Sequence, residues 1–369
     1  MTLDDIMTPY QLVRGPMNWT RESAGPPKLF ALTLDAPARG ELAAAVRRLG
    51  AAGRLDAPHL LKRSDFDLPA LNRRVDRAVE EVKSGRGFAL LTGLPCDGMT
   101  LAEFTAATWI IGTRFGEPLS QNARGDLVTQ VIDASSADPT PRMYRSNLEL
   151  RLHSDITAMI ALACWQAAQS GGLSFLASAA TIHNEILARA PHLLAALYNG
   201  FHYHRLGEEG PGEEPTTPYR TPVFALRSGQ LSCRYQRAGI AAGHNSRGVP
   251  LSDLEIEALD LFDEVARSPA NRVEFSLARG DMMIVNNYAV LHARTGFTQF
   301  PEAERARLLV RLWLDTPGFR EVPAEFNLMA ENGIPPQPGR DCTYDFKALY
   351  ADDPRASGGV PKLADANQR

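Results

Sequence analysis

The spacing of hydrophobic positions changes along this chain, and each change marks an element. Leu71, Val75, Ala78, Val79 and Val82 recur at helical steps, which predicts an amphipathic helix over 71–82, stopped by Gly85-Arg86-Gly87. Phe88-Ala89-Leu90-Leu91 then reads as a buried strand. Thr100 and Glu103 form a capping box ahead of Phe104, Ala107 and Ile111, so a second helix is expected up to Gly112. An Ala/Arg-rich stretch over 41–54 is compatible with a helix. Residues 178–198 read as two helices broken at Pro191, and 251–266 as a further helix capped by Ser252 with Glu255 three later.

Between these helices the pattern is that of short strands. The runs are 127–132, 150–155, 157–166, 173–176, 223–226, 231–235, 273–277, 282–286 and 308–314, with turn signals such as Gly171-Gly172 and Ser228-Gly229 among them. Many short strands point to a sandwich or barrel rather than a parallel sheet. The expected fold is mainly β with flanking helices. Residues 1–60 read as an N-terminal extension, 61–350 as a single β domain with helical insertions, and 351–369 as a poorly ordered tail rich in Pro, Gly, Ala and Asp. The loop character of the stretch from Gln121 to Asn147 allows it to fold over the site as a lid.

Composition narrows the partners. With 369 residues and 44% hydrophobic content, the chain can bury a large core. A net charge of −4 with both signs interspersed leaves no basic stripe, which argues against nucleic acid and against an anionic membrane surface. No apolar run approaches the roughly 18 residues of a membrane span, and the N-terminus lacks the apolar core of a signal peptide. A cytoplasmic protein acting on a small molecule is expected. Cys96, Cys164, Cys233 and Cys342 lie far apart without a Cys-x-x-Cys pair, so they read as reduced core thiols.

Candidate chemistry centres on His153-Ser154-Asp155. On a strand, residues two apart share a face, so an imidazole and a carboxylate project together. With His292 they supply two nitrogens and one oxygen, the facial ligand set of non-haem Fe(II) oxygenases, which leaves metal positions open. His292 alone also fits a satisfied core histidine. In the run 307–314, Arg307, Leu309, Arg311 and Trp313 share one face, and buried arginines want an anion. Structural ion pairing is the other reading of these arginines. Gln121, Asn147, Arg234 and Tyr235 are polar residues near the motifs and are substrate-pocket candidates. His202 and His204 repeat the two-residue spacing but read as solvated edge-strand residues. Asn286 and Asn287 are expected to satisfy backbone groups around the turn to His292.

Taken in order, Gly85-Arg86-Gly87-Phe88 with Gly93-Leu94-Pro95, His153-Ser154-Asp155, Ser170-Gly171-Gly172-Leu173-Ser174, Gly280-Asp281-Met282, Asn286-Asn287-Tyr288 with His292, and Arg307 with Arg311 resemble one family. It is the taurine dioxygenase/2,4-D dioxygenase family of Fe(II)- and 2-oxoglutarate-dependent oxygenases, which includes clavaminate synthase. The resemblance implies a double-stranded β-helix, or jelly roll, with the metal at its mouth. It implies His153, Asp155 and His292 as iron ligands, with O2 and 2-oxoglutarate as cosubstrates. Arg307 would clamp the far carboxylate of 2-oxoglutarate, with the Ser174 hydroxyl beside it. Arg311 would meet the near carboxylate or an acidic group on the substrate. Arg305 competes for the clamp role, but it precedes the strand.

The implied reaction is oxidation of an unactivated C–H bond, with succinate and CO2 released. Because halogenating relatives replace the carboxylate ligand with a small residue, Asp155 implies a hydroxylase, with desaturation or ring closure open to the same chemistry. The implied substrate is small and anionic, such as an amino acid, organic acid or sulfonate. Two other classes use the same ligands: a jelly-roll protein that binds a metal or anion without turnover, and a zinc-dependent hydrolase. The hydrolase leaves the paired arginines unexplained.

Overall fold

The computed structural model describes residues 10–135, 143–329 and 333–337. Two sheets face each other across an apolar layer. The larger runs in the order Ala31–Thr33, Phe88–Thr92, Met282–Asn286, Met159–Gln166, Leu308–Asp315 and Glu117–Pro118, with Thr129–Val131 also paired to Leu308–Asp315. The smaller runs Arg272–Phe275, Ser174–Ser178, Val290–Arg294 and Leu150–His153. Every pairing is antiparallel except that of Ala31–Thr33 with Phe88–Thr92. The chain crosses between sheets at 154–158 and again at 287–289, and this exchange of strands makes the two sheets one jelly roll.

Alternation along the strands decides which side chains fill the gap between sheets. Ile160, Cys164, Met283, Val285, Leu309 and Trp313 of the larger sheet meet Leu176, Val273, Phe275 and Val290 of the smaller one. The opposite face of the larger sheet carries Ala161, Ala163, Ile284, Val310 and Leu312, packed on helices Ala36–Ala51, Pro69–Lys83 and Leu101–Gly112. The smaller sheet is backed by Ala179–Arg189, Leu194–Asn199 and Asp253–Arg267. Helices therefore sandwich the jelly roll, and among the described residues helix takes a greater share than strand, about 35% against 21%.

Local sequence accounts for most elements. Helix Pro69–Lys83 starts with Pro in its first turn and buries Leu71, Val75, Ala78 and Val82 on one stripe. Each such large apolar side chain contributes roughly 1.5–3 kcal/mol on burial, so Val75→Asp would break the seat of this helix. The Thr100/Glu103 capping box closes Leu101–Gly112 as expected. Residues before 61 are woven into the domain, because Ala31–Thr33 adds an edge strand and Ala36–Ala51 buries Leu42, Val46 and Leu49.

Some details depart from the sequence pattern. The apolar run 127–132 forms a strand only over Thr129–Val131. His204 is buried, with its Nδ1 accepting from the Leu206 backbone N–H at 2.8 Å, rather than solvated on an edge. The helix Arg237–Arg247 has no sequence signal. Cys96, Cys164 and Cys233 are free and buried, whereas Cys342 and the 351–369 tail lie outside the described residues.

Candidate metal centre and cosubstrate pocket

The centre sits where the smaller sheet opens. Antiparallel pairing places His153 directly opposite His292, with ring centroids 4.3 Å apart. Strand Leu150–His153 ends at His153, so alternation within a strand does not place Asp155 beside it. The chain turns there, and Arg234 fixes the turn by donating to the backbone carbonyls of Asp155 and Ile156. The Asp155 carboxylate returns between the imidazoles, one oxygen 3.7 Å from His153 Nε2 and the other 3.7 Å from His292 Nε2.

Protonation in this cluster favours metal. Burial, then the neighbouring His153, pulls His292 down to about 3, which keeps its ring neutral and able to ligate. At Asp155 burial opposes the charge, but the two imidazoles, Arg311 and the Trp313 indole outweigh it and hold the carboxyl below its usual range. Trp313 Nε1–H donates to Asp155 Oδ2 at 3.1 Å, and His153 Nδ1 is fixed by the Arg151 carbonyl at 2.8 Å. The three ligand atoms lie within 4.8 Å of one another, and His292 Nδ1 is buried without a partner. Two imidazoles and one carboxylate, closed on one side by protein and open to a cavity on the other, fit Fe(II).

That cavity, about 210 Å³, lies between the sheets and is bordered by Leu309, Arg311 and Trp313 from one strand face and by Arg307, the residue just before that strand. Ser174 borders it from the opposite sheet. Arg307 has no carboxylate partner among the described residues, and its guanidinium rests 4.8 Å from the centre of the Phe297 ring. Burial lowers it to about 10, so it remains a cation at neutral pH. Gly172 lies beside Arg307 at φ +69°, a left-handed conformation that favours glycine, and a Cβ there would sit in ordinary contact with Arg307 Nε at 3.4 Å. Arg305 is exposed and pairs with Glu302, away from the cavity.

The other sequence candidates divide. Arg234 borders the cavity and also buttresses Asp155. Gln121 is fully buried and acts on Arg311, whose Nε donates to Gln121 Oε1 at 2.7 Å and to Thr129 Oγ1 at 3.2 Å. Tyr235 points away into the helical core, stacked on Phe262 and donating to Asp263 at 2.6 Å. Asn147 is exposed, and its carbonyl accepts from the Phe297 N–H. Neither Tyr235 nor Asn147 borders the cavity. Asn287 accepts from the Asp155 N–H at 3.4 Å and Asn286 from the Tyr288 N–H at 3.0 Å, in keeping with a turn-building role. Of the stretch between Gln121 and Asn147, Val131 and Tyr144 border the cavity, and 136–142 lie outside the described residues.

Sequence reasoning passed over Arg294, Arg151, Arg205 and Arg237, all on the cavity wall. Arg294 carried a usable signal, since it lies two residues beyond His292 and so shares its face.

Residues 49–313 match the model of a family described as taurine catabolism dioxygenase TauD, TfdA family. The chain belongs to this TauD/TfdA family. FR-33289 synthase of Streptomyces rubellomurinus is 33% identical over 321 residues, 85% of this chain and 94% of the relative. The taurine hydroxylase-like protein SAT17 of Stachybotrys chartarum is 28% identical over 271 residues, 69% of this chain and 68% of the relative. In fold it is similar to asparagine oxygenase, solved with Fe(II), 3-hydroxyasparagine and succinate, at a TM-score of 0.61 and 18% identity over 82% of this chain and all of that one. OrfP, a non-haem iron oxygenase solved with Fe and α-ketoglutaric acid, superposes with a TM-score of 0.58 and 16% identity over 77% and 94%. This TauD/TfdA protein is an Fe(II)- and 2-oxoglutarate-dependent dioxygenase, and His153, Asp155 and His292 are its iron-binding triad.

Proposed function

We propose that this dioxygenase hydroxylates a small substrate bearing an anionic group, of the amino-acid or organic-acid class. The observation that carries the reading is a cavity of about 210 Å³ beside the triad whose wall holds arginine donors left over from internal pairing. Arg311 Nη2 and Arg294 Nη1 are buried without a hydrogen bond, whereas Arg237 is paired with both Asp260 at 2.7 Å and Asp263 at 3.5 Å. Arg151 borders the same space with no ion pair of its own among the described residues. Cations with spare donors in a small, partly apolar chamber select an anion by charge and by directed hydrogen bonds. The amino-acid class is supported further by the hydroxyasparagine and hydroxyarginine bound in the structurally similar oxygenases.

Each residue has a distinct task in this reading. His153, Asp155 and His292 hold Fe(II), which when bound supplies the redox chemistry coupling decarboxylation of 2-oxoglutarate to oxidation of a C–H bond. Arg307 takes the distal carboxylate of 2-oxoglutarate, with the Ser174 hydroxyl beside it. Arg311, pinned by Gln121 and Thr129 and lying over the Tyr144 ring at 4.2 Å, presents its charge toward the triad and the acid group nearest it. Ile160, Leu162, Met283 and Leu309 keep water from the reacting carbon. A cytoplasmic setting is supported by three buried, unpaired cysteines, and no described helix is long and apolar enough to cross a membrane.

The test is an anaerobic titration with Fe(II) and 2-oxoglutarate, followed by the weak visible absorption of an Fe(II)–2-oxo acid chelate. A panel of small amino and organic acids is then screened for succinate release. Absorption that requires both ligands and disappears in Arg307→Ala, with turnover on an anionic member of the panel, is the expected result. Turnover confined to uncharged substrates would overturn the substrate class.

A further inference from the structure

Antiparallel register sets Arg294 directly opposite Ser174, as it sets His292 opposite Leu176. The two residues from His292 to Arg294 advance about 7 Å along the same face of the strand, a step on the scale of a five-carbon diacid. Arg294 and Arg307 then converge on a single aromatic ring, their guanidinium carbons 4.6 and 4.8 Å from the centre of Phe297. Both border the cavity, as does Ser174. Arg294 Nη2 is occupied by the carbonyls of Ser146 and Leu148, each at 2.9 Å, but Nη1 is buried with no partner. Asp133 is the acid whose charge reaches Arg294, and no ion pair joins them among the described residues.

Two guanidinium groups crowded in a dry place repel each other, and neither forms an ion pair with a carboxylate among the described residues. A bound anion relieves this arrangement, and a carboxylate with two oxygens can accept from both cations at once. We propose that Arg294 is a second cosubstrate arginine. Its Nη1 and the Arg307 guanidinium share the distal carboxylate of 2-oxoglutarate, with Ser174 as the third donor. The ties to Ser146 and Leu148 fix the guanidinium plane, so the site is set before the cosubstrate arrives. The inference rests on the reading of Arg307 as the cosubstrate clamp and extends it to a residue in another sheet.

The experiment is anaerobic calorimetric binding to the Fe(II)-loaded full chain, with 2-oxoglutarate compared against 2-oxopentanoate, which has the same length but no distal carboxylate. Arg294→Met is expected to weaken 2-oxoglutarate at least tenfold and to leave 2-oxopentanoate within twofold. Arg294→Lys, which keeps the charge and loses the fork, is expected to fall between wild type and Arg294→Met. Unchanged 2-oxoglutarate affinity in Arg294→Met overturns the proposal. So does equal weakening of both ligands, because that is the signature of a residue that only braces the 146–148 loop. Should Arg294→Met fail to fold, Arg294→Lys decides alone: wild-type discrimination between the two ligands overturns the proposal, and reduced discrimination supports it. Arg307→Met is the separate check on the underlying reading, which fails if that variant keeps wild-type affinity for 2-oxoglutarate.

Discussion

The guanidinium of Arg234 donates to the backbone carbonyl of Asp155, so a metal ligand is held by its main chain while its carboxylate stays free. Arg234 is almost completely buried and lies over the rings of Tyr288 and Phe326 at 5.5 and 5.6 Å. Replacing it leaves the Asp155 and Ile156 carbonyls unpaired where the chain must turn. Arg234→Met should therefore weaken Fe(II) binding by about 10- to 100-fold, the usual cost of losing a group that orients a ligand. Titration with Co(II), read by its visible spectrum, checks this. Wild-type affinity in a folded variant would refute the positioning role.

Gln121 acts on Arg311 in the same indirect way, accepting from its Nε at 2.7 Å and donating to its backbone carbonyl at 3.0 Å. Gln121→Met removes both bonds from a buried arginine whose Nη2 already lacks a partner. The expected loss is about 1–3 kcal/mol of stability, the cost of a buried polar group left unsatisfied, with a roughly tenfold drop in kcat/KM. Gln121→Glu keeps the acceptor for Arg311 but replaces the donor to the Leu127 and Arg311 carbonyls with a carboxylate oxygen, so it should raise KM through a charge that competes for Arg311 and cost stability as well. Denaturant titration and steady-state kinetics separate the two variants, and identical kinetics in both would count against Gln121 as the anchor of Arg311.

Much of this arrangement was legible in the chain, for reasons that differ by element. Helix Leu101–Gly112 announces itself through a capping box ahead of an apolar run, and Asp253–Arg267 through a capping box and a regular apolar stripe, all local properties. Helix Arg237–Arg247 does not, because Gly239, Gly243, Asn245 and Ser246 are poor helix formers. At Gly243 the reason is tertiary, since a Cβ there would lie 2.4 Å from the His202 carbonyl. The same limit governs the site. Arg311 was readable from alternation within its strand, and Arg307 from its place just before that strand begins. Arg294 needed the partner strand to show that it faces Ser174, and Tyr235 needed the packing of helix Asp253–Arg267 to show that it turns away from the cavity.

Metal should stabilise the folded chain, because the triad exists only when residues 153 and 292 are paired across two strands. A ligand that binds the folded state alone contributes about 2.7 kcal/mol at 100 times its Kd. Adding Mn(II), which resists oxidation, to chelated protein should raise Tm, and the rise should vanish in His153→Ala. A full shift in His153→Ala would mean that the metal binds elsewhere.

Stability should also fall as pH drops from 6.5 toward 5.5. His183, His204 and His244 are all buried, and burial holds each below its ordinary value. The unfolded chain takes up protons at these positions near pH 6.5 while the folded chain does not, so acidification favours unfolding. The stability is fully present above that pH and is lost as pH falls toward the folded values. Each histidine contributes at most about 1.4 kcal/mol per pH unit within the window. The lowered carboxyls of Asp35 and Glu255 act in the same direction, but only below the ordinary carboxylate range. Asp263 and Asp281, which burial raises, oppose the trend at its acidic end. Urea midpoints at pH 7.5 and 5.5 measure the effect on metal-loaded protein. The midpoint is expected to be lower at pH 5.5, and the difference should shrink in His183→Gln, whose wild-type Nε2 faces the Tyr198 hydroxyl at 3.0 Å. An equal or higher midpoint at pH 5.5 would show that these imidazoles are not held neutral by the fold.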